Sequence, residues 1–361
     1  MFTLIIFLLV ISVLIFVHEL GHFVVAKRTG MRVEEFGFGF PPRLWSFRYR
    51  GTQYSINLIP FGGFVRIFGE DGEHRHAKGS FSHAGFWPQL GVVVAGVFMN
   101  FLLAVVLLMA SNFMGLRVGL FDEQMIARAA DRRVQILQVS ADSPAEAGGL
   151  QPLDQILGFR AAGGAVEATD SPEAVQKYAF AHAGAPVVIV VRRGDSETDI
   201  PLALRQVIGP GQGPIGISLA LTGVIRYPWY ESIWRGAVDA WFLFVGTLVG
   251  YWGLLTSLFV NGRLDADISG PIGIATMTGQ AARIGFTYLI QFVAMISVNL
   301  AVLNILPFPA LDGGRAVMVI AEKLRGKPMS ETAERAINSF GFMILLALMV
   351  AVTVKDIVKF F

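Results

Sequence analysis

Val17-His-Glu-Leu-Gly-His-Phe23 closes an apolar run that extends from Phe2 to about Val25, and the rest of the chain can be read outward from it. As a helix, a run of that length crosses a bilayer core of roughly 30 Å. Helix positions four apart share a face, so His18 and His22 can aim two imidazoles at one cation. Glu19 follows the first histidine, within reach of a water beside that cation. This is the H-E-x-x-H pattern of two ligands and a general base. The bland reading is a pair of polar residues in the headgroup zone. Ionisable groups inside an apolar span are costly, however, and default to function. Lys27, Arg28 and Arg32 come next, which makes this end cytoplasmic and the N-terminus external by the positive-inside rule.

Composition agrees with a membrane protein. The 361 residues are 54% hydrophobic and only 16% charged, with mean hydropathy +0.58. A net charge of +2 gives no footprint for nucleic acid. There are no cysteines, so a metal must be held by histidines and carboxylates. The first segment lacks a basic leader and carries the His-Glu pair, which reads as a retained span rather than a cleaved signal.

Residues 30–87 form a non-helical interfacial loop. Phe36-Gly-Phe-Gly-Phe-Pro-Pro42 is rich in turn formers. Gln53 to Ile59 and Gly63 to Phe68 alternate like short strands around the turn Pro60-Phe-Gly62-Gly63. Trp45, Phe47, Arg48, Tyr49 and Arg50 interleave as at a membrane surface. An open edge there can pair with an extended peptide; the plainer alternative is a cytosolic hairpin that only packs on helices. His74, His76 and His83 read as solvated loop histidines rather than a second metal site. Residues 90–114 make a second span. On it, Asn100 suits an interhelical hydrogen bond better than catalysis.

Residues 117–226 regain charge of both signs and should lie in water. Val134–Val139, the capped helix start Ser143-Pro144, Leu153–Leu157, the second capped start at Ser171-Pro172, Val187–Val191 and Asp199–Leu204 follow one another as strand, helix, strand, helix and two strands. That order, with Val139-Ser-Ala-Asp-Ser-Pro-Ala-Glu-Ala-Gly-Gly-Leu150, resembles a PDZ domain of the circularly permuted bacterial kind. The usual Gly-Asp of that motif is Leu153-Asp154 here. Residues 227–285 read as interfacial or amphipathic linker helices. Residues 286–306 and 337–356 are two further spans, four in all.

A hydrolytic zinc site takes three protein ligands and keeps one position open. Asp312 is the candidate third ligand, beside the helix-breaking Pro307 and Pro309 and next to Gly313-Gly314. It also suits a helix N-cap, and the two roles are compatible. Asn304 can hold a substrate carbonyl or orient a ligand.

His-Glu-Leu-Gly-His with Asn304-x-x-Pro307-x-Pro309-x-Leu-Asp312-Gly resembles the site-2 protease family of intramembrane zinc metalloproteases, in particular its bacterial RseP-like group. Ser269-Gly-Pro-Ile272 and the inserted PDZ-like stretch fit the same resemblance, which covers nearly the whole chain. It implies a polytopic α-helical membrane protein of four transmembrane helices, with a cytoplasmic-side β-sheet and an extracytoplasmic α+β PDZ domain. It implies Zn2+ held by His18, His22 and Asp312, Glu19 as catalytic base and Asn304 in support. Gly62 and Gly63 would help hold an extended substrate. The expected setting is the bacterial inner membrane, with the site near its cytoplasmic side. Expected substrates are single-span proteins after a site-1 cut, such as anti-sigma factors and remnant signal peptides. A catalytically inactive PDZ scaffold is the competing reading. One zinc also constrains topology: if 237–260 crossed fully, Asp312 and His22 would lie at opposite faces, so that segment should lie in the outer interface or re-enter without crossing.

Overall fold

The computed structural model describes residues 2–70, 77–160, 164–194, 196–206, 213–261 and 269–360. His74 and His76 lie outside the described residues. The chain divides into two compact units, one of residues 1–111 with 229–361, the other of residues 112–228.

The first unit begins with helix α1, Phe2–Arg28, three residues longer than expected because Ala26, Lys27 and Arg28 extend its last turn. Strands β1, Val33–Tyr49, and β2, Thr52–Ile67, follow. Both bend sharply. Residues 35–38 pair with 63–66 on one side and with 53–56 on the other, while 43–49 pair with 52–57. The stretch around Phe36–Pro42, read as turn formers, is therefore a bent strand. Gly39, at φ 75°, sits close against the Ile59 carbonyl, where a side chain would not fit. The inner strand is fastened by buried Glu35, which accepts from Ser55 Oγ at 2.8 Å and Arg43 Nη2 at 2.7 Å. Phe40, Leu44, Trp45, Phe47 and Phe61 remain exposed, an apolar surface suited to lipid. Helix α2, Phe86–Met114, completes this part.

The second unit has a sheet in the order β3-β9-β4-β5-β7-β8, with β6 on β5. Its strands are β3, Leu116–Gly119; β4, Ala130–Val139; β5, Gln155–Arg160; β6, Val166–Ala168; β7, Pro186–Arg193; β8, Ser196–Ala203; and β9, Ile217–Ile225. Its helices are α3, Glu123–Arg128; α4, Pro144–Ala147; and α5, Pro172–Ala181. Ser143 and Ser171 cap α4 and α5 by accepting from Glu146 and Ala174 N–H, as the Ser-Pro starts suggest. The core holds Ile136, Ile156, Phe159, Val175, Ile189 and Val191. Leu153, where the resembling motif has glycine, adopts φ 72°. Strands β3, β6 and β9 and helix α3 were not apparent in the sequence.

The first unit resumes with α6, Trp229–Asn261; α7, Pro271–Ile284; α8, Phe286–Ile305; α9, Asp312–Arg325; and α10, Glu331–Phe360. Five helices, α1, α2, α6, α8 and α10, are long and apolar enough to cross a membrane, where the sequence suggested four. The fifth is α6, one continuous helix of 33 residues within the segment read as linker helices. It packs lengthwise: Gly236 meets Met109, Ala240 joins the cluster of Ala104, Leu108 and Val298, and Tyr251 donates to Asn299 Oδ1 at 3.2 Å. Its Trp229, Trp234, Trp241 and Trp252 face outward. The tryptophans suggested an interface, whereas the small residues opposite them allow close helix packing.

Candidate metal centre

Helix α1 places His18 and His22 one turn apart, both buried, with their Nε2 atoms 3.1 Å from each other. Each ring is held from behind. His22 Nδ1–H donates to the Val92 carbonyl of α2 at 2.7 Å, which leaves Nε2 as a free lone pair. The atom 3.3 Å from His18 Nδ1 is Asn100 Nδ2, while Asn100 Oδ1 is buried without a partner; turning the amide about its axis puts the oxygen where it accepts Nδ1–H. Ser297 Oγ donates to the Asn100 carbonyl at 2.7 Å, tying α8 to the same point.

Two glycines make room. A side chain at Gly21 would strike the Ala95 carbonyl at 2.4 Å, so α1 and α2 approach closely there. A Cβ at Gly96 would stand 2.5 Å from both His18 Cε1 and His22 Nε2. Gly96 and Asn100 are four apart on α2, the same spacing as the two histidines on α1. That period was visible in the sequence, where Asn100 read as an interhelical bond that could also face the site; it is placed beside His18.

The third corner comes from 290 residues away. Helix α8 ends at Ile305, and Leu306–Leu311 turn the chain into α9. A Cβ on Gly313 would lie 2.1 Å from the Leu306 carbonyl, and one on Gly314 2.2 Å from the Phe308 carbonyl. Both glycines are needed for close approach of backbone to backbone; neither has positive φ. Pro309 packs against Gly341 of α10, and Pro307 is exposed. Asp312 opens α9 without capping it, since the N-cap position is Leu311 and no side-chain cap bond forms. Its Oδ2 instead points to His18 Nε2 at 3.1 Å and His22 Nε2 at 3.5 Å. Asn304, in the last turn of α8, is half-buried, and its side chain makes no hydrogen bond among the described residues.

These three atoms fit a tetrahedral zinc ion. With metal–ligand bonds of about 2.0–2.1 Å, tetrahedral ligands stand about 3.3 Å apart. The observed edges are 3.1, 3.1 and 3.5 Å. Asp312 Oδ2 is buried without a hydrogen bond, as expected of an atom that needs a cation. His18, His22 and Asp312 are the one such group of potential ligands among the described residues.

Glu19 lies beside this triangle, its Oε2 accepting from Val65 N–H of β2 at 3.0 Å. The β2 turn is docked on α1 just before the histidines. Ser12 Oγ donates to the Pro60 carbonyl and accepts from Gly62 N–H at 3.4 Å. Gly62, at φ 75°, rests on Ile15, and Gly63 is close to the Gly37 carbonyl and Phe16. The edge of the sheet thus runs past the metal triangle.

The profile of peptidase family M50 matches residues 6–348. A protein of Clostridium perfringens, provisionally named a zinc metalloprotease, is 35% identical over 97% of this chain and 97% of its own. One from Agrobacterium fabrum with the same provisional description is 31% identical over 97% of this chain and 94% of its own. Zinc metalloprotease RasP of Geobacillus kaustophilus is 28% identical over 98% and 97%.

Proposed function

The chain belongs to peptidase family M50, as a multi-pass membrane zinc metalloprotease, and from that premise we propose that it cuts peptide bonds within the transmembrane segments of single-span proteins. The observation that carries this reading is the placement of the His18–His22–Asp312 triangle and Glu19 between apolar helices and beside an open strand edge.

In this reading His18, His22 and Asp312 hold zinc. When bound, zinc supplies a Lewis acid that lowers the pKa of water and polarises a carbonyl. Glu19 takes a proton from the attacking water, the carbonyl carbon gains oxygen as the C–N bond breaks, and Glu19 delivers the proton to the departing amine. Asn100 and the Val92 carbonyl keep both imidazoles in the tautomer that presents Nε2. Asn304, with no partner of its own, is placed to hold a substrate carbonyl, and Pro307 and Pro309 fix the turn that delivers Asp312. A helical substrate shields its peptide bonds, so it must unwind; pairing with the edge near Gly62, Gly63 and Val65 replaces the backbone bonds it loses.

The membrane arrangement follows from packing and charge. Val10 and Leu14 of α1 pack with Ile296 of α8, and the two helices run parallel. Their C-terminal ends carry Lys27 and Arg28 on one, and lead to Lys323, Arg325 and Lys327 on the other, which supports a cytoplasmic position for both ends. Between α2 and α8 the chain must therefore leave and return to one side. Helix α6 descends from the level of Met109 to that of Asn299, and α7 rises from Ile274, packed near Val10, to Gly279 against Thr3. The pair enters and returns, which supports a re-entrant excursion.

The unit of residues 112–228 is, in this reading, an extracytoplasmic PDZ domain in a bacterial inner membrane protein. Its support is the strand order and a groove of about 290 Å3 between α5 and β9, lined by Val175, Phe180, Ile215 and Ile217. Substrates would be anti-sigma factor-like proteins and remnant signal peptides after a first cut outside. No observation favours the inactive scaffold.

The test is cleavage of a single-span substrate by the purified chain in detergent, with zinc assayed. Glu19→Gln should keep zinc and lose activity; Asp312→Ala should lose zinc. Cleavage by Glu19→Gln would remove Glu19 as the base, and full zinc in Asp312→Ala would remove the third ligand.

A further inference from the structure

The edge of β2 beside the metal triangle ends against a second carboxylate. Residues 63–67 pair with 33–38 on one side. Alternate N–H groups of a strand face the same edge. On the opposite edge of this strand, two of them are engaged by acidic side chains: Val65 N–H by Glu19 Oε2 at 3.0 Å and Ile67 N–H by Glu70 Oε2 at 3.4 Å.

The two carboxylates are held differently. Glu19 makes no ion pair with a lysine or arginine among the described residues. Glu70 is fastened by Arg315, whose Nη1 donates to Glu70 Oε1 at 2.6 Å while Nη2 donates to the Glu70 carbonyl. Arg315 lies one turn along α9 from Asp312, and its guanidinium stands 5.2 Å from the Phe81 ring centroid. Both side chains are about three-quarters buried. Glu70 is thus held at two points, one a charge-assisted bond to its carboxylate and the other to its own carbonyl, both partly desolvated.

We propose that Glu70, anchored by Arg315, is the register stop of the substrate-pairing edge and so determines which peptide bond is cut. The inference rests on the reading above that substrate adds to this edge as a strand. A substrate carbonyl that takes Val65 N–H releases the Glu19 carboxylate for its proton transfer. Glu70 does not yield in the same way, because leaving Ile67 would strain its contacts with Arg315. An added strand can therefore pair as far as Val65 and no further. Strand registers slip by two residues when faces are conserved, so a missing stop should move the cut by two.

The experiment is mass measurement of the products from a single-span substrate of known sequence, cut by the full chain in detergent. Unsubstituted protein, Glu70→Ala, Glu70→Gln and Arg315→Ala are compared, with zinc content assayed for each. The expected result for Glu70→Ala is a second product pair displaced by two residues. Its ratio to the original pair should rise by about tenfold or more, the factor carried by one charge-assisted hydrogen bond. Glu70→Gln, which keeps an acceptor oxygen, should shift less. If Arg315→Ala loses zinc because it disturbs α9, Glu70→Ala carries the test alone, since Glu70 touches no ligand of the metal triangle. An unchanged cleavage position in zinc-loaded Glu70→Ala, at whatever rate, overturns the inference and leaves the proteolytic reading intact. No cleavage by the unsubstituted chain removes that reading and the register stop with it.

Discussion

Gly96→Ala should empty the metal centre while leaving the fold in place. The added Cβ would stand 2.5 Å from His18 Cε1 and His22 Nε2. Comfortable non-bonded separations are about 3.5 Å or more, so something must yield by about 1 Å. The backbone of α2 is not free to retreat, because Val92 and Asn100 on the same helix hold the two imidazoles from behind. The rings must move, and zinc tolerates departures of only about 0.2 Å in its bond lengths. Loss of zinc affinity by about 100-fold or more follows, at the upper end of what disturbing the support of a metal site costs. Helix propensity works the other way, since alanine favours a helix over glycine by roughly 1 kcal/mol. The assay is zinc retained by the purified protein against a graded chelator, with circular dichroism as the check on folding. Gly91→Ala is the control on the same helix, because its Cβ meets only Val25 Cγ1 at 3.6 Å. If Gly96→Ala holds zinc as tightly as the Gly91→Ala control, the cradle described here is wrong.

Asn100→Leu should lower zinc affinity or turnover by about 10- to 100-fold, because His18 loses the partner that sets its tautomer; equal zinc retention and rate in the variant would remove Asn100 from the site. Asp356→Ala should lower the thermal midpoint in detergent, since buried Asp356 accepts from Gly270 N–H at 3.1 Å and Gly273 N–H at 2.8 Å at the start of α7. Asp356→Asn should fall less, and an unaltered midpoint in both would mean that the cap contributes nothing. Leu153→Gly should stabilise the unit of residues 112–228 by about 1 kcal/mol, because a leucine at φ 72° is strained and glycine is not. Hydrogen exchange of β4 and β5 reads this directly, and faster exchange in the variant would contradict it.

Much of the metal centre could be read from sequence because its parts obey local rules. His18 and His22 share a helix face by period alone, and Asp312 stands out as a carboxylate at a helix break in an apolar region. What the sequence left open depends on contacts between distant segments. His22 rests on the Val92 backbone carbonyl and His18 beside the Asn100 amide, and the first of these leaves no mark in residue type. Gly96 reads as one glycine among 40 until the rings it accommodates are in place. Glu70 and Arg315 are 245 positions apart and look like ordinary loop and helix charges. The bent pairing of β1 and β2 was missed for a related reason: glycine and proline punctuate the run as a turn would, and only pairing on both sides of residues 35–38 makes it a strand.

Helix α6 shows how chemistry can discipline a topology that hydropathy leaves ambiguous. Length and composition alone admit five crossings. An odd number of passes between α2 and α8 would separate Asp312 from His22 by the thickness of the bilayer, yet their metal-facing atoms are 3.5 Å apart. A helix that enters beside α8 must then be matched by one that comes back. Helix α7 is too short to be counted as a span, but in the proposed topology it would be that return, packed on α1 with Ile274 in the cluster of Val10 and Gly279 at Thr3. Its start has Gly270 and Gly273 buried, and Asp356 of α10 accepts from both of their N–H groups. In the topology proposed above, a re-entrant pair and the carboxylate at its turn both answer to one constraint, the joining of His22 and Asp312 at one metal site. A zinc ion with ligands from both ends of a chain permits only topologies that bring those ends to the same depth.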